Sequence, residues 1–226
     1  MIAFSGRMRD RGPSQSDPET RHRIFIAVPL AANIRQAAAQ ARKALDAYDD
    51  RLRWVQPQHL HLTLQFLGNI TTASLTDAVA AAEEAARAER PFTITLAGLG
   101  AFPSAATARV IWVGVTDGAE CLRALAGRLV LSLRARCISL EDRPFSPHLT
   151  LARVRGAGRP PDLRREKEAL GRFALGGQRV GEMIVVKSVL GSSAPSHSII
   201  ATTALGGTAT NARSQEKNHE SKDGTA

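Results

Sequence analysis

Residues 59–68 read HLHLTLQFLG, and residues 146–154 read SPHLTLARV. Both stretches contain HLTL, and the histidines that begin the two copies, His61 and His148, lie 87 positions apart. In each copy leucine alternates with histidine and threonine, which is the period of two expected of a strand with one buried face. The repeat therefore predicts two equivalent strands, one in each of two lobes.

The alternation also predicts which side chains share a side of each strand. It places His61 and Thr63 on one side of the first strand and puts Phe66, together with the leucines, on the buried side. It places His148 and Thr150 on one side of the second strand, again with leucines opposite. If the two lobes face each other, the chain presents a cleft with two histidines and two threonines.

The rest of the chain alternates irregularly between apolar runs and alanine-rich helical segments. Strands are predicted at residues 23–28, 60–67, 92–99, 109–115, 148–154, 183–190 and 198–205. Helices are predicted at residues 32–48, 73–90 and 118–136, with a short helix at 164–170. This order favours an α+β protein with mixed or antiparallel sheets over a regular series of parallel βαβ units.

Composition and charge restrict the class of protein and its surroundings. The net charge is +9, and because residues 1–21 and 206–226 are nearly balanced, most of it lies between them. A basic body favours an anionic partner such as nucleic acid. Both terminal segments are polar and aperiodic, so we predict disordered tails at 1–21 and 206–226 around one domain at 22–205. Two cysteines outside any C-x-x-C pair, the lack of a signal-peptide run and the lack of a membrane-spanning run predict a cytoplasmic protein with no membrane partner.

Two imidazoles facing each other suit phosphoester hydrolysis without a metal. With an ordinary pKa near ~6.5, a neutral histidine can accept a proton while a protonated one donates to a leaving oxygen. The neighbouring threonine hydroxyls can donate hydrogen bonds to phosphate oxygens. One alternative is a zinc site made of His59, His61 and His148, although no acid or cysteine lies nearby in sequence to complete it.

With these flanks the chain resembles the two-histidine phosphoesterases, and among them the LigT-like RNA 2′,3′-cyclic phosphodiesterases, historically called 2′-5′ RNA ligases. The resemblance runs over residues 22–205. The segments that carry it are RIFIAVPL (23–30), WVQPQHLHLTLQFLG (54–68), RVIWVGV (109–115) and RPFSPHLTLAR (143–153). It implies a bilobal, duplicated α+β fold in which two mainly antiparallel sheets flank a central cleft, with helices on the outside.

The resemblance also implies roles for individual residues. His61 would donate a proton to the departing 3′ oxygen, and His148 would be the base for water. Thr63, Thr150 and Arg153 would hold the phosphate of an RNA 3′ end or nucleotide, and neither a cofactor nor a metal would be needed. Simple alternation puts Arg153 on the opposite side from His148, so it reaches the cleft only if the strand bends or ends there.

The chain departs from the family in its last strand and in its aromatic content. Where the family usually has a tyrosine, the matching position here is His197, and only 4% of the residues are aromatic. The aromatic residues nearest the motifs are Phe66, Trp54 and Phe145. Alternation makes Phe66 a core residue, and Trp54 is expected to pack rather than to stack on a base.

The expected function is hydrolysis of an RNA 2′,3′-cyclic phosphate to a 2′-phosphate by a monomer. One alternative is a two-histidine esterase for another cyclic nucleotide or a 2′-5′ linkage, with ligase activity on 2′-5′ junctions as the reverse reaction. The other is a non-catalytic module that binds RNA or a nucleotide.

Overall fold

The structure is a computed structural model that describes residues 20–206, except positions 44, 142–143, 157, 159, 170, 172, 190 and 192–194. The tails predicted at 1–21 and 206–226 fall almost wholly outside these residues. None of the helices among the described residues combines the length and the hydrophobicity that a membrane span requires.

Two antiparallel sheets form the frame of the protein. The first has the order β3-β1-β8-β9, and the second has the order β2-β6-β5-β4-β7. The strands of the first sheet are β1 (Arg21–Pro29), β3 (His61–Thr71), β8 (Glu182–Val189) and β9 (Ser196–Ala204). Those of the second are β2 (Leu52–Trp54), β4 (Phe92–Phe102), β5 (Val110–Asp117), β6 (His148–Val154) and β7 (Ala174–Val180). The two HLTL strands, β3 and β6, belong to different sheets and contact each other.

Helices cover the outer side of this frame. They are α1 (Ala32–Lys43), α2 (Thr72–Arg87), α3 (Ala119–Ala135) and α4 (Arg164–Ala169). Helix α2 begins where the Thr71 side chain accepts a hydrogen bond from the Ser74 amide, an N-cap that satisfies one of the free amides of the first turn. Its buried face consists of alanines, so it packs closely on the first sheet and on α3. The predicted α+β architecture of two antiparallel sheets with external helices is therefore confirmed.

Each sheet has one face on a shared core and one face turned away from it. In β1, Ile24 and Ile26 belong to the main core, whereas Phe25 and Ala27 form a separate small cluster with two residues of β8. In β6, Leu149 and Leu151 lie in the main core, and His148 and Thr150 lie on the opposite face of the sheet. The side of both sheets that carries the two histidines is called the cleft side below.

The prediction from sequence missed two strands and made one helix too long. Strand β2 has only three residues, which is too short for a readable period, and β7 (ALGGQRV) contains a glycine pair that is typical of a turn. The helix predicted at 32–48 ends at Lys43, and a 3₁₀ turn at Asp46–Arg51 follows. Aspartate has a low helix propensity, and the carboxylate of Asp49 accepts hydrogen bonds from Arg42 and Trp54 in this turn.

Candidate active site

The two motif histidines are anchored in the same way. Nδ1 of His61 lies 2.7 Å from the carbonyl oxygen of His59, and Nδ1 of His148 lies 2.6 Å from that of Ser146. A carbonyl oxygen only accepts hydrogen bonds, so Nδ1 must donate and therefore carries the hydrogen in both rings. In the neutral form each ring keeps its lone pair on Nε2, the tautomer needed to accept or return a proton at that atom.

Strand β3 contains a β-bulge immediately after its His-Leu-Thr sequence. Thr63 lies opposite Ala27, while Gln65 lies opposite the preceding residue of β1, so Leu64 has no partner of its own. An extra unpaired residue shifts the alternation of every side chain beyond it to the other face. The buried Leu64 is the second leucine of the HLTL motif.

Strand β6 contains a bulge at the same place in its own motif. Thr150 lies opposite Trp112, and Ala152 lies opposite the residue before Trp112, so Leu151 is left unpaired. This buried leucine also follows the motif threonine. The duplication therefore includes the backbone conformation as well as the HLTL sequence, since each copy has a histidine, a threonine and a bulge at identical spacing.

The bulge in β6 brings Arg153 to the cleft side. Simple alternation would place Arg153 opposite His148, but beyond Leu151 it pairs with Val110 and shares the side of His148 and Thr150. The side chain is exposed, and its positive charge helps to lower the pKa of His61 on the other sheet. For Arg153 to reach the cleft, the sequence required a bend or an end of the strand, and the bulge provides the bend.

The bulge in β3 overturns the prediction that Phe66 is a core residue. Phe66 lies opposite Phe25 on the cleft side and is 52% exposed. Its ring centroid is 5.8 Å from that of Phe25, which stacks on His61 at 4.6 Å. Phe66 and Arg153, five residues after their histidines, are equivalent positions of the two bulged strands.

Both threonines lie partly exposed beside the histidines. Thr63 follows His61, and Thr150 follows His148, each two residues on and on the same side of its strand. In the part of the chain that the structure describes, neither hydroxyl hydrogen-bonds to another protein group. Both hydroxyls can therefore donate to a ligand oxygen.

Burial makes His61 a weak base in the free protein. Desolvation, opposed by the bond to the His59 carbonyl and assisted by the positive charges of His197, His59 and Arg153, lowers the pKa of His61 to about 4. At neutral pH the free protein therefore holds His61 uncharged.

His197 is the residue that most distinguishes the surroundings of His61. Its ring centroid is 5.6 Å from that of His61, 4.8 Å from that of His59 and 5.2 Å from that of Phe25. Burial and then the charge of His59 lower the pKa of His197. The position that the sequence singled out as a departure from the family thus lies next to the first motif histidine.

Aromatic rings also hold His148, but from a different direction. The ring centroid of Phe102 is 5.1 Å from that of His148 in an edge-on contact, and that of Trp112 is 6.0 Å away. Gly100 allows the Trp112 ring to occupy this position, because a Cβ at residue 100 would overlap that ring. The sequence did not single out Phe25, Phe102 or Trp112. A continuous apolar run such as RIFIAV does not reveal which side chains face the cleft.

The other residues singled out from sequence lie away from the cleft side. Trp54 donates to Asp49 at 2.6 Å and packs against the core, as predicted, and Phe145 also packs there. A cavity of about 200 Å³ beside Trp54 is lined by Leu60 and Leu151 but by none of the predicted site residues. Among the described residues, no group of three or more histidine, cysteine or acidic side chains has the geometry to hold a metal ion, so the alternative zinc site gains no support.

Comparisons with known proteins identify the family of this chain. The family model "LigT like Phosphoesterase" matches residues 28–112. The RNA 2′,3′-cyclic phosphodiesterase of Aquifex aeolicus is 31% identical over 189 residues, which cover 82% of this chain and 98% of the relative. The chain belongs to the LigT-like phosphoesterase family. The enzyme of the same name from Methanothermobacter thermautotrophicus is 29% identical over 76% of this chain and 93% of its own length.

Solved LigT-like structures share the fold over nearly their whole length. A protein of Thermus thermophilus has a TM-score of 0.68 at 32% identity and is matched over 82% of this chain and 98% of its own. Escherichia coli LigT in complex with 3′-AMP has a TM-score of 0.65 at 26% identity, over 82% of this chain and 99% of its own. The LigT-like fold and both bulged motifs are therefore present together in this protein.

Proposed function

We propose that this protein is an RNA 2′,3′-cyclic phosphodiesterase that opens a terminal cyclic phosphate to a 2′-phosphate. The observation that carries the proposal is the paired, identically anchored His-x-Thr on two bulged strands that contact each other. The names of the LigT-like relatives support the substrate class.

The proposed reaction uses one histidine as base and one as acid. His148 removes a proton from water as the water oxygen forms a bond to phosphorus. The bond between phosphorus and the 3′ oxygen breaks, its electron pair stays on that oxygen, and His61 supplies the proton. Thr63, Thr150 and Arg153 donate to the phosphate oxygens, whose charge develops in the transition state. The products are a 2′-phosphate and a 3′-hydroxyl.

The donor role requires His61 to gain its proton when the substrate binds. A neutral His61 has no proton on Nε2 to donate. A phosphate anion beside the ring favours the charged form of the imidazole and therefore raises the pKa of His61. In the free protein we expect the ring resonances of His61 to titrate in NMR with a midpoint near 4. Saturation with a nucleoside 2′-phosphate should move this midpoint upward by about one to three pH units. The His61→Asn variant assigns the resonance, because the His61 signals are missing from its spectrum. A titration midpoint that is the same with and without the ligand would contradict the donor role.

The function itself is tested with an RNA oligonucleotide that ends in a 2′,3′-cyclic phosphate, in the presence of EDTA. Wild type should convert it to a 2′-phosphate, distinguished from a 3′-phosphate by ³¹P NMR, and His148→Ala should not. His22→Ala is the matched control, because His22 lies on the face of β1 opposite Phe25. Loss of activity in both variants, or conversion to a 3′-phosphate, would contradict the proposal.

Nucleotide-sized substrates are a second candidate, because Escherichia coli LigT has been crystallised with 3′-AMP and with NADP⁺. A panel of nucleoside 2′,3′-cyclic phosphates and 2′-5′-linked dinucleotides, assayed beside the RNA, ranks these substrates by kcat/KM. We further propose that the protein acts as a monomer in the cytoplasm, since one chain supplies every proposed site residue and both cysteines are exposed and unpaired.

A further inference from the structure

Strand β2 brings a second arginine beside Arg153. Arg53 lies directly opposite Arg153 in the antiparallel pairing of β2 with β6. Residues directly opposite each other project from the same face of a sheet. Because the bulge at Leu151 turns Arg153 to the cleft side, Arg53 lies on the cleft side too, one strand further from His148.

The arginine pair is electrostatically unfavourable in the free protein. Like charges directly opposite each other destabilise a sheet, and both side chains are exposed. Within the described residues, neither Arg53 nor Arg153 forms an ion pair with a carboxylate. Asp49, which lies near this end of the sheet, is already bound by Arg42 at 2.7 Å. Anionic groups bound at the two guanidinium groups would relieve the repulsion.

Positive charge continues from this pair away from the histidines. Beyond Arg153, the Nε of Arg155 donates to the Leu52 carbonyl oxygen at 2.8 Å, and Arg109 donates to that of Gly156 at 3.2 Å. These bonds go to neutral backbone groups, and Arg155 also interacts with the carboxylate of Asp49, whose pKa is lowered first by the bond to Arg42 and also by the charge of Arg155. A polyanion that enters the cleft from this end would meet Arg53 and Arg153 before it reaches His148.

We propose that Arg53, beside Arg153, binds the phosphodiester that joins the terminal nucleotide of an RNA to its 5′ neighbour. The inference rests on the proposed function and narrows its substrate class. Arg153, nearer the histidines, serves the reacting phosphate, and Arg53, one strand away, serves the next one. Guanidinium groups match phosphate oxygens with two parallel hydrogen bonds. The site would thereby prefer an RNA end to a mononucleotide.

The test compares two RNA oligonucleotides of one sequence, both ending in a 2′,3′-cyclic phosphate. In one of them the last internucleotide linkage is a neutral methylphosphonate. Wild type should show a kcat/KM about tenfold higher for the phosphate substrate, the lower range for a hydrogen bond to a charged group. Arg53→Gln should lower kcat/KM for that substrate about tenfold and bring the ratio of the two substrates close to one. Such non-additivity is the mark of a direct contact.

Arg179→Gln is the matched control, because Arg179 is an exposed arginine on β7, at the opposite edge of the same sheet. It should keep the wild-type ratio. An Arg53→Gln protein that also keeps that ratio overturns the inference and leaves the proposed function intact. If wild type hydrolyses neither oligonucleotide, the proposed function fails. The inference is then decided by the Kd values of the two 2′-phosphorylated products, whose ratio should again depend on Arg53.

Discussion

Replacing His148 by alanine should lower kcat for hydrolysis of an RNA 2′,3′-cyclic phosphate about 10³–10⁴-fold, the upper part of the range for loss of a general base. Two of the rings that contact His148 belong to Phe102 and Trp112, and neither side chain can act as a base. KM should change little, because the proposed binding groups remain.

Replacing His61 by alanine should cost less, about 10²-fold in kcat, because two other imidazoles remain close by. The ring centroids of His59 and His197 are 4.8 Å apart, and His197 lies 5.6 Å from His61. Removal of His61 opens space that either ring can enter. The triple variant of His59, His61 and His197 should therefore fall to the level of His148→Ala.

Single-turnover and steady-state rates of both variants, with His22→Ala alongside, measure these losses. Circular dichroism and a melting curve establish that each variant is folded. A His148→Ala protein within threefold of wild type would remove His148 from the mechanism. The double variant His61→Ala/His148→Ala should lose little more than His148→Ala alone, because groups that act as one unit are not additive.

The strands that carry the site could be predicted from sequence because their signal is local. Alternation of leucine with His61 and Thr63, and again with His148 and Thr150, requires only that one face be buried. The structure buries the leucines of both copies and leaves these four side chains partly exposed. Helices α2 and α3 could be predicted equally well, and they begin and end within three residues of their predicted bounds.

The sequence could not predict on which face of their strands Phe66 and Arg153 lie. Each position depends on a bulge, and a bulge is a property of two paired strands rather than of one segment. Nothing in HLTLQF alone marks Leu64 as unpaired. That outcome depends on how the residues of β3 align with those of β1. A comparison of the copies offers a hint, since an arginine at the same offset as a predicted core phenylalanine is implausible in a buried position. Arg53 escaped notice for a similar reason, because its role follows only from the register of a three-residue strand.

The proximity of His197 to His61 is a tertiary effect. The two residues are 136 positions apart on the two edge strands of the first sheet. Side chains of opposite edges meet only if the sheet curls toward the cleft, and strand twist and bulges decide that curvature. The sequence could mark His197 as unusual for its family but not place it against a particular neighbour.

Loss of either threonine hydroxyl should lower kcat about as much as loss of His61. Thr63→Val and Thr150→Val should each lower kcat about 10²-fold, the lower range for removal of one hydrogen-bond donor that stabilises charge in the transition state. Valine has the shape of threonine and favours strands, so the fold should be retained. The anchors of the histidines should also persist, because they go to the backbone carbonyls of His59 and Ser146.

Thr63→Ser and Thr150→Ser are the matched controls for these two variants, because serine keeps the hydroxyl and loses only the methyl group. We expect the serine variants to retain activity within about fivefold of wild type. If serine and valine were equally harmful at one position, packing of the methyl group rather than donation by the hydroxyl would explain the loss. Equal losses for Thr63→Val and Thr150→Val would further indicate that the duplicated strands share the phosphate evenly. Unequal losses would identify the sheet that carries the developing charge.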